Sequence, residues 1–302
     1  MANSNRIVIT GANGQLGSDL NARYKGGSDV IGLTRHTMDI TNRQRVREQI
    51  LRLEPRIVLH AAAFTDVDAC QGDESTAMRV NAEGTDNVAS ACSDAGARMV
   101  FYSTDYVFDG TKTSAYIETD APNPQTVYGR SKLAGEQAVT AALSNHLIMR
   151  VAWVYGEHGK NFVKTIIQRA MTNVGGTSAG IILPPLQIVD DQIGNPTWTV
   201  DIVRQTETAA ESDLTGVVHC TSEGEVSWYR FACEIFSMLE LNVEAIPCRT
   251  EDYPRPAPRP RRSALENARL KEAGLNVMRP YRVALAEFIK QNGGVLRQFT
   301  VQ

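Results

Sequence analysis

The chain has 302 residues, 42% of them hydrophobic and 22% charged, with a formal net charge of -3. That is the composition of an ordinary soluble globular protein with room for one large domain or two small ones. It excludes a strongly basic nucleic-acid binder and holds no apolar run of bilayer-spanning length, so neither nucleic acid nor membrane is expected as a partner. In chain order, residues 6–10 read as a strand, followed by a glycine-containing turn and an amphipathic stretch to about Tyr24. Residues 29–34 make a second strand and 43–53 a helix; 57–61 make a third strand, with a helix over about 74–95. A fourth strand covers 99–103, a helix carries Tyr128 and Lys132, and 147–151 form a fifth strand.

Near-continuous apolar strands separated by helices predict an α/β fold, a doubly wound parallel sheet of the Rossmann kind covered on both faces. After Trp153 the rhythm breaks. Residues 173–180 read as a Gly/Ser/Thr loop, and Pro184-Pro185 cannot lie inside a helix. A late strand over 217–220 and a helix over 227–239 follow. Residues 253–262 hold four prolines and four arginines and predict an extended arm. The expected division is a dinucleotide-binding domain over 1–152 and a substrate-binding lobe over 153–302, interleaved with the sheet. The five cysteines form no Cys-x-x-Cys, and the five histidines show no ligand spacing. Reduced thiols, no structural zinc and no signal peptide predict a cytoplasmic protein.

The first strand runs into Gly11-Ala12-Asn13-Gly14-Gln15-Leu16-Gly17. Glycines at this spacing permit a tight turn and close backbone approach, and the following helix N-terminus offers amides to a pyrophosphate. Between the first strand and first helix of an alternating chain, this favours a dinucleotide site over a plain turn. Arg35 follows the second strand, where an NAD-specific protein usually places an acidic residue. A guanidinium there suits a ribose 2′-phosphate, so NADPH is expected over NADH. Asp39, next to Ile40, is placed to accept from an adenine amino group or to cap the helix near Thr41. Ala61, Ala62 and Ala63 end the third strand with side chains small enough for a flat ring to approach the backbone. Thr65 and Tyr102 complete the expected cofactor contacts.

Tyr128 and Lys132 are four residues apart, which on a helix places their Cβ atoms about 5–6 Å apart on one face. A phenol titrates near pH 10, and a neighbouring ammonium lowers that value toward a usable proton donor. By itself the spacing is equally that of surface packing.

These residues resemble a family, the extended short-chain dehydrogenases/reductases. The resemblance rests on the glycine loop, Ala61-Ala62-Ala63-Phe64-Thr65-Asp66-Val67-Asp68, Ser103-Thr104-Asp105-Tyr106-Val107-Phe108-Asp109-Gly110 and Tyr128-Gly129-Arg130-Ser131-Lys132. It continues through Trp153-Val154-Tyr155-Gly156, Asn161-Phe162-Val163, Asp190-Asp191-Gln192-Ile193-Gly194-Asn195-Pro196-Thr197, Ser227-Trp228-Tyr229 and Arg259-Pro260, in order over nearly the whole chain. The resemblance is strongest to the branch that reduces dTDP-linked keto sugars, and implies reduction of the C4 keto group of dTDP-4-dehydro-L-rhamnose. It implies that Tyr128 protonates the keto oxygen and that Thr104 hydrogen-bonds the same oxygen. Lys132 would hold the nicotinamide ribose and depress the Tyr128 pKa, while Asp105 and Trp153 contact the substrate.

Related dehydratases follow Thr-Asp with Glu as a second acid/base; Tyr106 stands there instead, which favours reduction over elimination. The alternatives are another nucleotide-sugar ketoreductase or epimerase, and a non-catalytic dinucleotide-binding subunit like that of methionine adenosyltransferase. His60 departs from the family's usual Asn, Val151-Ala152 from its Thr-Ser, and 173–185 is longer than expected. Some relatives are dimers bridged by Mg²⁺; Asp190 and Asp191 are the carboxylates available here, and two adjacent acids make a weak site. Arginines of the 255–262 arm are suited to a diphosphate.

Overall fold

A computed structural model describes residues 5–26, 29–178 and 184–298. The first half alternates β1 (Ile7–Thr10), α1 (Gln15–Tyr24), β2 (Val30–Leu33), α2 (Arg43–Leu53), β3 (Ile57–His60), α3 (Val67–Gly72), α4 (Glu74–Met78), one π-helical turn (Arg79–Glu83), α5 (Gly84–Ala95), β4 (Arg98–Thr104), α6 (Val127–Ala142) and β5 (His146–Val151). The second half adds β6 (Val154–Tyr155), α7 (Phe162–Ser178), β7 (Leu186–Val189), β8 (Ile193–Gly194), β9 (Thr197–Trp198), α8 (Thr199–Ala210), β10 (Gly216–His219), β11 (Val226–Ser227), α9 (Trp228–Met238), β12 (Ala245–Cys248), α10 (Ala268–Glu272) and α11 (Tyr281–Gln298).

Six parallel strands form the main sheet in the order β10-β5-β4-β3-β1-β2. The middles of β1, β3 and β4 are apolar and buried because helices cover both faces there. Ile7 and Ile9 of β1 turn to one face with Leu20 of α1 and Ile202 and Val203 of α8; Val8 turns to the other with Val46, Ile50, Val88 and Val139 of α2, α5 and α6. β1 pairs with β2 on one side and β3 on the other, so the chain switches direction there and a crevice opens beyond the carboxyl ends of β1 and β3. A third core, built on Tyr155, Ile166, Trp198, Phe231 and Phe288, belongs to the second half. That half also returns to the sheet, where Val217 of β10 pairs with Ile148 of β5. No helix among the described residues is long and apolar enough to cross a membrane.

Two stretches add to or differ from expectation. The helix read over 74–95 is present, with a π turn at Arg79–Glu83 set inside it; Asp73 accepts from Thr76 N at 2.9 Å to cap its start, and a further short helix, capped by Asp66, precedes it. The stretch read as a loop from 173 continues α7 to Ser178, because Val163, Ile166, Ile167 and Ala170 give that helix a buried face strong enough to carry it into Gly/Ser/Thr residues. The rest of that insert-like region, 179–183, lies outside the described residues, as do residues 299–302 of the tail.

Candidate active site

The turn after β1 is a backbone cradle. Gly11 has φ +66°, and a Cβ there would lie 2.7 Å from Ala62 N; one on Gly17 would lie 2.0 Å from Gly11 O. Gly14 caps α1 without a side chain, so the first-turn amides of that helix face outward, as an anion requires. In front of them lies a cavity of about 480 Å³, walled by Gly11, Asn13 and Gly14 below and by Ala61, Ala62 and Ala63 along one side. Arg35, Asp39 and Ile40 form its far end. Thr41 donates its backbone N–H at 3.0 Å and its hydroxyl at 2.8 Å to Asp39 Oδ1, which holds that carboxyl below its usual range; Asp39 Oδ2 lies 3.9 Å from Arg35 Nε. This shape and donor set fit a dinucleotide.

Six residues expected at the cofactor, Tyr128 and Lys132 among them, stand outside that lining. Gln15 donates to Val154 O at 3.1 Å and accepts from Asn161 at 2.9 Å, Leu16 packs on the core, and Thr65 lies exposed past Phe64. The Tyr102 hydroxyl is buried against Thr206 Oγ1 at 3.1 Å, so only its carbonyl faces the site. His60 is spent internally: its ring nitrogens lie 2.7 Å from Thr10 Oγ1 and 3.2 Å from Thr85 Oγ1, and burial pushes it down to about 3, keeping it neutral. Arg79 also lines the cavity; sequence reasoning missed it because the π turn that brings it there leaves no pattern in the residues.

Beyond the cradle, Thr104 ends β4, and Tyr128 and Lys132 occupy successive turns of α6. Close approach of α6 depends on small residues: a Cβ on Gly129 would lie 2.2 Å from Tyr106 O, and one on Gly135 2.5 Å from Asn81 O. Asn81, in the π turn, donates to Ser131 Oγ at 3.0 Å and exchanges two hydrogen bonds with the Phe64 backbone, locking α6 to the cavity wall. Tyr106 touches both of its neighbours: its N–H donates to Thr104 Oγ1 at 3.2 Å, and its ring stands edge-on to the Tyr128 ring with centroids 5.7 Å apart. Thr104 Oγ1 donates to Asp105 Oδ1 at 3.0 Å; burial pushes the Asp105 carboxyl up to about 6.

One expected effect is reversed. Burial, followed by the negative fields of Asp105 and Cys70, raises the Tyr128 phenol above its ordinary value, with Thr104 opposing. Lys132 does not lower it, because its ammonium turns inward, donating to Tyr102 O at 2.7 Å and resting 4.1 Å from the Phe101 ring centroid. Burial brings Lys132 itself down to about 7.

A second cavity, about 310 Å³, has Tyr106 in its lining. Arg169 of α7 and Arg255 and Arg259 of the proline-rich arm line it, with Phe162, Trp228 and Tyr253 as its aromatic walls. Arg259 pairs with Asp68 at 2.9 Å, which fixes the arm to α3. Trp153, with φ +46°, lies one layer behind: its ring stacks on Trp228 with centroids 3.4 Å apart and planes 4° from parallel. Trp228 follows an Asp-Gln-Ile-Gly-Asn-Pro-Thr match by thirty-odd residues, and nothing in its spacing marks it as a wall of the cavity. Asp190 accepts from Ser227 Oγ, and Asp191 from Thr250 N at 2.9 Å and Oγ1 at 2.7 Å, so both organise loops. Among the described residues no group of three or more His, Cys, Asp or Glu is placed to hold a metal ion.

A glycine cradle at the sheet's switch point, with Thr104 at the end of β4 and Tyr128 and Lys132 on the helix packed against that strand, has the layout of an oxidoreductase of the short-chain dehydrogenase/reductase type, built for a nicotinamide dinucleotide. The family model described as "RmlD substrate binding domain" matches residues 5–293, and the chain belongs to that family. It is 41% identical over 291 residues to the dTDP-4-dehydrorhamnose reductase of Mycobacterium tuberculosis, covering 94% of this chain and 92% of that one. It is 37% identical to the dTDP-4-keto-6-deoxy-D-glucose reductase of Streptomyces niveus, covering 94% and 96%. Among solved structures, it is similar to the dTDP-4-dehydrorhamnose reductase of Bacillus anthracis in complex with NADP, with a TM-score of 0.90, 35% identity and coverage of 95% and 99%.

Proposed function

We propose that the protein catalyses the NADPH-dependent reduction of the C4 keto group of dTDP-4-dehydro-L-rhamnose to give dTDP-L-rhamnose, in the cytoplasm. The observation that supports this is the meeting of Thr104, at the end of β4, and Tyr128, on α6, at Tyr106, which touches both and lines the arginine-bearing cavity. A bound reduced nicotinamide supplies the hydride. The cradle of Gly11 and Gly14 and the α1 amides hold the pyrophosphate, and Arg35 meets the 2′-phosphate. Tyr128 donates its phenolic proton to the keto oxygen as negative charge develops there, and the Thr104 hydroxyl turns from Asp105 to donate to the same oxygen. Lys132 donates to the ribose hydroxyls. Arg169, Arg255 and Arg259 neutralise the sugar-nucleotide diphosphate. Asp105 and Trp153 contribute to the sugar pocket, Trp153 by backing Trp228.

Tyr106 supports reduction over elimination. Its phenol is raised by burial, so the phenolate needed to abstract a C5 proton is not available near neutral pH. The Streptomyces niveus relative favours one second reading, a dTDP-4-keto-6-deoxy-D-glucose substrate, which differs in sugar stereochemistry and uses the same groups.

The test is to incubate the protein with each dTDP-keto sugar and NADPH and follow the reduced-nicotinamide absorbance. Oxidation is expected with dTDP-4-dehydro-L-rhamnose at the higher kcat/KM, and Tyr128→Phe is expected to lower kcat by about 10²- to 10⁴-fold. No oxidation with either sugar, or an unimpaired Tyr128→Phe protein, overturns the reading.

A further inference from the structure

Lys132 is 2% exposed, and its ammonium has given up water for one carbonyl and the face of an aromatic ring. Such a setting favours the neutral amine, which could not donate to two ribose hydroxyls and retain a charge. From β3 it faces His60, which is neutral; from β4 it faces the Tyr102 carbonyl; on its own helix Tyr128 is a protonated phenol. Four residues on along α6, and so on the same buried face, stands the carboxylate of Glu136, which is not in direct contact with the ammonium and acts on it through its field.

Glu136 is itself 4% exposed and held from three directions. Ser103 Oγ donates to its Oε1 at 2.5 Å, Arg150 Nε to the same oxygen at 2.9 Å, and Arg150 Nη2 to its Oε2 at 2.7 Å. Arg150, 3% exposed, rests over the Phe108 ring at 5.1 Å and acts on His219 of β10. Apolar side chains often replace a buried ion pair without loss of stability, so stability alone does not explain a charge cluster here. Its members lie directly beneath the reacting end of the sheet: Ser103 precedes Thr104, and Glu136 follows Lys132 by one turn.

We propose that Glu136 is a positioning residue for the reduction: gripped by Ser103 and Arg150, it supplies the negative field that keeps the buried Lys132 side chain in its ammonium form. Arg150 tempers that field by sharing the carboxylate. The inference rests on the reductase reading for the use made of Lys132, but not for the electrostatics. The charged form is the one lost as pH rises, so Lys132 sets the alkaline limb of kcat/KM.

The experiment measures two quantities on wild type, E136Q, E136D and R150M: the pH profile of kcat/KM, and the titration midpoint of Lys132 by NMR of isotope-labelled lysine, assigned with K132M. E136Q is expected to move both the midpoint and the alkaline limb about one pH unit lower, the smaller end of what an opposite charge at this range produces. R150M is expected to move both higher, since Glu136 then keeps only the Ser103 hydroxyl and no competing cation beside Lys132, and E136D is expected to lie closer to wild type than E136Q. Should E136Q not fold, E136Q/R150M, which strands no charge, takes its place with a midpoint still below wild type. Unmoved midpoints, or E136Q and R150M moving in the same direction, overturn the proposal; a purely structural role gives lower stability without opposite shifts. If no keto sugar is reduced, the reductase reading fails, while the NMR midpoints still decide the role of Glu136.

Discussion

Arg35 is 85% exposed at the mouth of the dinucleotide cleft, and its nearest anion, Asp39, stands 3.9 Å away with its other oxygen already engaged by Thr41. The guanidinium is therefore available to a ligand at little desolvation cost. A 2′-phosphate would be attracted by Arg35 and by Arg79, which also lines the cleft, whereas a 2′-hydroxyl gains little from either. Charge-assisted hydrogen bonds contribute about 1.5–3 kcal/mol each. Arg35→Ala is thus expected to raise KM for NADPH by about 10- to 100-fold, with kcat and the KM for NADH little changed. Steady-state kinetics with both cofactors checks this, and equal losses for the two would refute it. Arg35, Asp39 and the glycines were readable because they sit beside strand ends, where chain order alone fixes position. Tyr128 and Lys132 were readable as a pair on one helical face. That the ammonium turns to the Tyr102 carbonyl was not, since it depends on how deeply α6 is sunk against β4.

At the scale of elements, the substrate side is set by how β8 and the Trp153 segment meet. Trp153 takes a left-handed backbone conformation rare for a tryptophan, and Gly194 leaves room for its ring: a Cβ there would lie 2.4 Å from Trp153 Cε2. The ring cannot retreat, because Trp228 lies against its other face and Phe162 packs behind Trp228 at 4.3 Å. Gly194→Ala is therefore expected to destabilise the fold by about 1–3 kcal/mol, as overpacking does. It should also displace Trp228 and raise KM for the sugar nucleotide several-fold, leaving KM for NADPH unchanged because the dinucleotide cleft lies elsewhere. Urea unfolding and the two KM values measure this; a rise in both KM values, or in neither, contradicts it.

The parallel strands were legible as elements because burial on both faces leaves an uninterrupted apolar run. α7 beyond residue 172 was not, because its glycines and serines are carried by tertiary packing of the earlier turns. Nor was the π turn inside the 74–95 helix, whose wider winding leaves no pattern in the residues.

The whole molecule is knitted by the return of its second half to the first. β10 adds the outer strand beside β5, α8 packs on α1, and Ile202, Val203, Val218, Leu270 and Met278 share one core with Ile7, Ile9 and Leu147. A cut after residue 152 would expose the β5 edge and strip that core of one wall, so residues 1–152 are not expected to fold alone. The intact chain is expected to unfold in one cooperative step despite its two lobes. Its three tryptophans, Trp153, Trp198 and Trp228, all belong to the second half, whereas the six-stranded sheet is largely first-half structure. Tryptophan fluorescence and far-UV circular dichroism therefore report on different lobes. Their urea transitions are expected to coincide in midpoint and slope, and NADPH is expected to move both midpoints together, because a ligand bound to one lobe stabilises every part that unfolds with it. Separate transitions, or a cofactor-dependent shift confined to the circular dichroism, would show that the shared core does not couple the lobes.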